Sequence, residues 1–275
     1  MAGNFLASIL EHKRREVEQA QRTLPEATLR ERAQAPREAR PFLERLASPG
    51  PHGLNIVAEI KRASPSKGII RADLDPAAYA QAYERGGAAA LSVLTDERYF
   101  HGGADDLRAA RAATRLPVLR KDFLISTYQV YESAAMGADA VLLIARLLSP
   151  DLLRDCMHLG AELALDALVE VHSREDFDKA NAVGARLIGI NTRDLSSFQT
   201  DFSVAVNLRR HLQPHQIPLA ESGIRCRADV EGLLQLGLWN FLVGESLVRA
   251  PDPESFLRHL LGSTRAEPAS RAKRQ

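Results

Sequence analysis

The chain has 275 residues, of which 45% are hydrophobic and 26% charged, a balance that supports a buried core and argues against a disordered chain. Its 36 Lys and Arg against 35 Asp and Glu leave a net charge of +1, which supplies no chain-wide basic field for nucleic acid. Cys156 and Cys226 form no disulfide framework and match no zinc spacing, and no apolar run approaches the ~20 residues of a membrane span. The N-terminus also lacks a signal peptide's apolar centre, so the expectation is a cytoplasmic protein with no membrane and no nucleic-acid partner.

Residues 1–51 read as an N-terminal helical extension. Leu6, Ile9, Leu10 and Val17 recur at helical spacing among Glu11, Lys13, Arg14, Arg15, Glu16 and Glu18, which predicts an amphipathic helix with one docking face. Pro25, Pro36 and Pro41 cut the remainder into short pieces. Residues 52–262 then alternate between short apolar runs and helix-forming stretches. The runs are Leu54–Ala58, Ala89–Leu94, Pro117–Leu119, Ala140–Ala145, Leu163–Val171, Leu187–Ile190, Ile217–Ala220 and Phe241–Val243. Several helical stretches end in glycine just before the next run, as at Gly86, Gly137 and Gly184, where a left-handed cap suits that residue. Eight strand–helix units predict an α/β fold, a (β/α)8 TIM barrel. A doubly wound open sheet is the alternative, but no G-x-G-x-x-G turn follows the first strand. The last stretch, 263–275, holds Arg265, Arg271, Lys273 and Arg274 against Glu267, with almost no large apolar side chains, and reads as a disordered basic tail.

In such a barrel the chemistry lies where the strands end. Glu59 and Lys61 close the first run, two residues apart and so on one face of a strand. Leu119, Lys121 and Phe123 share a face in the third, while Glu170 ends the fifth, Asn191 the sixth and Glu221 the seventh. Burying so many charges is costly unless they are paired, so a site that uses acids and bases is the economical reading. Gly223 and Gly244, beside Ser222 and Ser246, follow the last two strands. These two loops often bind phosphate through backbone N–H groups, which points to a small phosphorylated substrate. His172, His101, His211 and His215 show no metal-ligand spacing and read as ordinary surface or loop histidines; no metal is expected.

Several motifs in order give the chain a specific resemblance. They include Ala58-Glu-Ile-Lys-Arg-Ala-Ser-Pro-Ser-Lys-Gly68, Ser92-Val-Leu-Thr-Asp96, Arg120-Lys-Asp-Phe123, Leu168-Val-Glu-Val-His172, Gly189-Ile-Asn191, Arg193-Asp-Leu195, Ala220-Glu-Ser-Gly-Ile224 and Phe241-Leu-Val-Gly244. From the first helix to about Leu261 the sequence resembles the indole-3-glycerol phosphate synthase family of tryptophan biosynthesis. The resemblance implies a carboxy-lyase of aromatic amino-acid biosynthesis. Its reaction is ring closure, decarboxylation and dehydration of 1-(2-carboxyphenylamino)-1-deoxyribulose 5-phosphate to indole-3-glycerol phosphate. It implies no cofactor, an extension packed on the barrel mouth, and an anthranilate-derived substrate as the partner of a monomer or weak homo-oligomer.

The same resemblance suggests roles. Lys121 would be the general acid at the substrate ketone, Glu170 the acid–base group, and Glu59 and Asn191 positioning groups. Lys61 would pair with a carboxylate or phosphate or serve as an acid, so its division of labour with Lys121 stays open. Glu221 and Ser222 would contact the polar substrate chain, Gly223, Gly244 and Ser246 the phosphate, and Phe100, Phe123 and Leu142 the aromatic ring, with Ser64 and Arg193 as further substrate-binding residues. Two alternatives remain at this stage: an isomerase barrel, which needs a Cys/Asp pair, and an inactive barrel serving as an assembly subunit.

Overall fold

A computed structural model describes residues 2–193, 201 and 203–263. Eight parallel strands close into one barrel: β1 Asn55–Ile60, β2 Ala90–Leu94, β3 Val118–Lys121, β4 Ala140–Ile144, β5 Asp166–Val171, β6 Leu187–Asn191, β7 Ile217–Glu221 and β8 Asn240–Val243. Each strand pairs with its neighbours in sequence, and β1 closes the ring on β8 through Asn55↔Asn240 to Ala58↔Val243. Helices such as Pro76–Gly86, Thr127–Met136, Pro150–Glu162 and Arg174–Ala182 lie between the strands. The expected (β/α)8 barrel is therefore the fold, and the closure of β1 on β8 excludes the open-sheet alternative, which leaves two edge strands.

Alternation along the strands sorts the core into two shells. Val57, Ala90, Leu119, Leu142, Leu168, Leu187, Leu219 and Leu242 point inward and fill the barrel. Their sequence neighbours, among them Ile56, Leu91, Val169 and Ile188, point outward under the helices. At the carboxyl ends of the strands this same alternation turns polar residues into the mouth. The fifth run departs from expectation. Helix Pro150–Glu162 continues to Glu162, Ala164 adopts φ +51°, and β5 starts only at Asp166. Leu163 and Leu165 are buried in the turn rather than paired in the sheet, and an apolar run alone does not separate these cases.

The extension does not sit wholly on the mouth, as the sequence suggested. Its first helix, Ala2–Thr23, brings Ile9 to the mouth. Its second, Glu26–Ala33, follows Pro25 and runs down the flank, where Tyr128 donates to the Leu24 carbonyl at 2.9 Å and Arg30 lies over the Tyr131 ring. Its third, Phe42–Leu46, follows Pro41 and buries Phe42 and Leu46 in the barrel interior at the opposite end. Asn240 donates to the Leu46 carbonyl there, and Asn55 to Asn240. The extension is a strap from mouth to base. Of the proposed tail only Ser263 is described, and residues 264–275 lie outside the described residues, as do Asp194 and Leu195 of the sixth motif.

Candidate active site

One cavity of about 840 Å3 opens at the carboxyl ends of the strands. It brings together residues far apart in sequence: Glu59 and Lys61 at the end of β1, Lys121 and Phe123 at the end of β3, and Leu142 on β4. Glu170 comes from β5, Asn191 and Arg193 from the end of β6, and Glu221, Ser222 and Gly223 from the end of β7. Gly244 and Ser246 come from the end of β8, Ser64 from a two-residue strand after β1, and Phe100 from the helix Glu97–Phe100. Every residue that the sequence offered as catalytic, substrate-binding or phosphate-binding therefore lines this one space.

At its centre Lys121 lies between two acids, its Nζ 2.9 Å from Glu170 Oε2 and 2.6 Å from Glu221 Oε2. Burial alone would strip the proton from this ammonium, but Glu170, Glu221 and Glu59 outweigh it and hold Lys121 charged. Burial likewise opposes the charge on Glu170, yet Lys121, with His172 and Asn191, holds it down at about 2. Glu221 goes the other way. Burial dominates, the nearby Glu170 charge adds to it, and the acid is pushed up to about 8. Two carboxylates around one ammonium thus split into one ionised and one protonated at neutral pH, an arrangement suited to acid–base work.

Glycine makes room for this set. A Cβ on Gly189 would collide with Glu221 Oε1, and one on Gly244 would collide with Glu59 Oε1 and stand 3.0 Å from Lys61 Nζ. Lys61 itself donates to Glu59 Oε1 at 2.5 Å. After β7 the chain turns through Ser222 at φ +71° and Gly223 at φ +81°, both left-handed, a conformation costly for serine and readily adopted by glycine. Gly244 precedes the five-residue helix Glu245–Arg249. Ser246 donates its hydroxyl to the Ile224 carbonyl at 2.9 Å, so its hydroxyl hydrogen is committed to tying the two loops together. Arg193 reaches across the mouth to Ser66 Oγ at 3.3 Å and lies 3.9 Å from Glu245. One wall is aromatic: Phe100 and Tyr99 stand 6.1 and 6.4 Å from Phe123, centroid to centroid, within range for favourable ring contacts.

Two residues escaped the sequence reading. His172 is no surface histidine: it is buried, with Nε2 3.4 Å from Glu170 Oε1. Its place two residues after Glu170, just past the end of the same strand, was the available signal. Lys13, read as part of the polar face of the first helix, is fully buried and lies 2.9 Å from Asp96 and 2.7 Å from Asp122. Its signal was the spacing of Ile9, Lys13 and Val17, four apart on one helical face.

The fold and the cavity together define a (β/α)8 barrel with a buried lysine paired to two acids at its mouth. Solved structures share the architecture. 3-Hexulose-6-phosphate synthase from Salmonella typhimurium superposes with a TM-score of 0.60 at 11% identity, over 76% of this chain and 98% of that one. N-Acetylmannosamine-6-phosphate 2-epimerase from Clostridium perfringens gives 0.59 at 16% identity, over 78% and 93%. At such identities they establish the fold alone. A family model described as indole-3-glycerol phosphate synthase matches residues 6–260. Proteins of that name from Syntrophobacter fumaroxidans and Desulfosudis oleivorans are 56% and 53% identical, each over 94% of this chain and 98% of their own length. The chain belongs to the indole-3-glycerol phosphate synthase family, carboxy-lyases of tryptophan biosynthesis. No helix among the described residues is long and apolar enough to cross a membrane.

Proposed function

We propose that this cavity converts 1-(2-carboxyphenylamino)-1-deoxyribulose 5-phosphate to indole-3-glycerol phosphate, with Lys121 as the acid that starts the reaction. The observation that carries this reading is the buried Lys121 ammonium, 2.9 Å from Glu170 and 2.6 Å from Glu221. The ring carbon bearing the carboxylate attacks the ketone carbon. As that C–C bond forms, the carbonyl pair moves to oxygen and takes a proton from Lys121. An alkoxide is more basic than an amine, so even a strongly held ammonium gives up its proton there. The carboxylate then leaves as carbon dioxide, and its bonding pair restores the aromatic ring. Dehydration needs a proton delivered to the departing hydroxyl, which the Lys61 ammonium supplies, and one removed from the methylene beside nitrogen. Glu170, held ionised, is the base for the second transfer.

The remaining groups bind and orient. Phe100, Phe123 and Leu142 form an apolar wall for the carboxyphenyl ring. Lys61 and Arg193 bring positive charge toward the substrate's anionic groups, Glu59 and Asn191 steady the charged intermediates, and Ser64, Glu221 and Ser222 face the hydroxylated chain. The phosphate sits against backbone N–H groups of the Gly223 and Gly244 turns and near Ser246. Neither cysteine lines this cavity, so the isomerase alternative has no thiol to use. Cys156 is buried in helix Pro150–Glu162, its thiol pushed up by burial to about 12, and exposed Cys226 stands beside Asp229 at the start of helix Arg227–Gln235. Lys121→Met is expected to lower kcat by ~10²–10⁴-fold while product-analogue binding weakens far less. A variant with near-normal kcat would move the acid to Lys61.

A further inference from the structure

We propose that His172 is a positioning residue for Glu170, bracing one oxygen of that carboxylate while Lys121 holds the other. The inference rests on the reading of Glu170 as the base for dehydration and adds the group that fixes its orientation. Leu168, Glu170 and His172 alternate along β5 and its end, so they share one side of the strand. The imidazole side chain is 3% exposed and places Nε2 3.4 Å from Glu170 Oε1, while Lys121 Nζ lies 2.9 Å from Oε2. The two oxygens thus face different cations or donors, and a small turn of the carboxylate completes the hydrogen bond from the ring. Neither imidazole nitrogen has a hydrogen-bond partner of ordinary geometry among the described residues. A buried donor left idle costs about 1–3 kcal/mol, a penalty that turning the Glu170 carboxylate onto the ring would remove.

The charged groups around the ring are Glu170 on its own strand, Lys121 from β3, Arg146 from the turn after β4, and Asp176 from helix Arg174–Ala182. Asp176 accepts the His172 backbone N–H at 3.0 Å and so fixes the base of the side chain. Burial is the largest influence on the imidazole and, with Arg146 and Lys121, keeps it below its ordinary value and neutral, against Glu170 and Asp176. A neutral ring donates one hydrogen bond without competing with Lys121 as a charge. The carboxylate it braces keeps its plane, and with it the direction of the lone pair that takes the methylene proton. Ring closure does not depend on that lone pair. Dehydration does.

The test is a single turnover followed by two signals, carbon dioxide release and indole fluorescence. In His172→Leu, carbon dioxide is expected at close to the normal rate, with indole trailing it ~10-fold more slowly, the lower end of what a misplaced acid–base group costs. His172→Gln, which restores an N–H donor of similar reach, is expected to recover most of the lag. Normal timing in the leucine variant would overturn the proposal. So would equal slowing of both signals in the two variants, the mark of a general packing defect. If the leucine variant does not fold, imidazole NMR of Glu170→Gln decides: removal of the anion is expected to lower the His172 titration midpoint, and an unmoved midpoint overturns the contact. Full dehydration by Glu170→Gln would instead remove the role given to Glu170, a failure distinct from that of His172.

Discussion

The lysine between two acids is the residue-scale centre of the site, and its two neighbours differ in charge. Glu221 is protonated below about 8 because burial and the Glu170 charge outweigh the pull of Lys121. As pH rises through that value, the folded protein gains a negative charge beside Glu170, facing an anionic substrate. The profile of kcat/KM, which reports the free enzyme, is therefore expected to fall on a basic limb near pH 8. Glu221→Gln mimics the neutral acid and should abolish that limb, and a limb that persists in the variant would assign it to another group. Much of this centre was legible in the sequence. Glu59, Lys61, Lys121, Glu170, Asn191 and Glu221 each end an apolar run, and in a closed barrel all such ends meet. His172 was misread because it was weighed as a metal ligand, when its position on a strand face mattered more. The opposite charge states of Glu170 and Glu221 were not legible, since they depend on distances of tenths of an ångström.

At the scale of elements, the first helix is tied to the barrel by a buried ionic latch. Lys13 joins Asp96, which caps the helix Glu97–Phe100 by accepting from the Tyr99 N–H at 2.6 Å. It also joins Asp122, next in sequence to Lys121 and further held by Arg120 at 3.1 Å and the Thr95 hydroxyl at 2.6 Å. Burial opposes the Asp122 charge, but Arg120 and Lys13 prevail and hold it at about 2. One ammonium thus connects the extension to the turn carrying Phe100 and to the segment carrying Lys121 and Phe123. Lys13→Met leaves two buried carboxylates short of a cation and is expected to cost ~3–5 kcal/mol of stability, with faster proteolysis inside Ala2–Thr23. Unchanged melting and protection would show that the latch carries no weight. The apolar stripe revealed that this helix docks, yet not that a lysine docks with it. A charge at a buried helical position is readable only once its partners are known, and Asp96 and Asp122 lie more than 80 residues away in sequence.

The whole molecule is a barrel with a strap, and the strap explains why truncation must be chosen with care. A cut through residue 45 removes Phe42 from the barrel interior as well as Ile9 from the mouth, so its effects mix the loss of a plug with the loss of a wall. A cut before Pro25 removes the mouth helix and leaves the plug. The eight-unit plan was legible because each strand is a short apolar run set off by a helix and often a glycine. The path of the strap was not, because Pro25 and Pro41 mark where helices begin and say nothing of the surface each helix meets. Strand ends, strap and glycine turns together enclose one cavity for one reaction. Its most direct test is steady-state turnover of 1-(2-carboxyphenylamino)-1-deoxyribulose 5-phosphate by the purified full chain, with carbon dioxide and indole-3-glycerol phosphate measured together. Equal amounts of the two products, formed without added cofactor, are the predicted result; bound substrate that yields neither product would contradict the account.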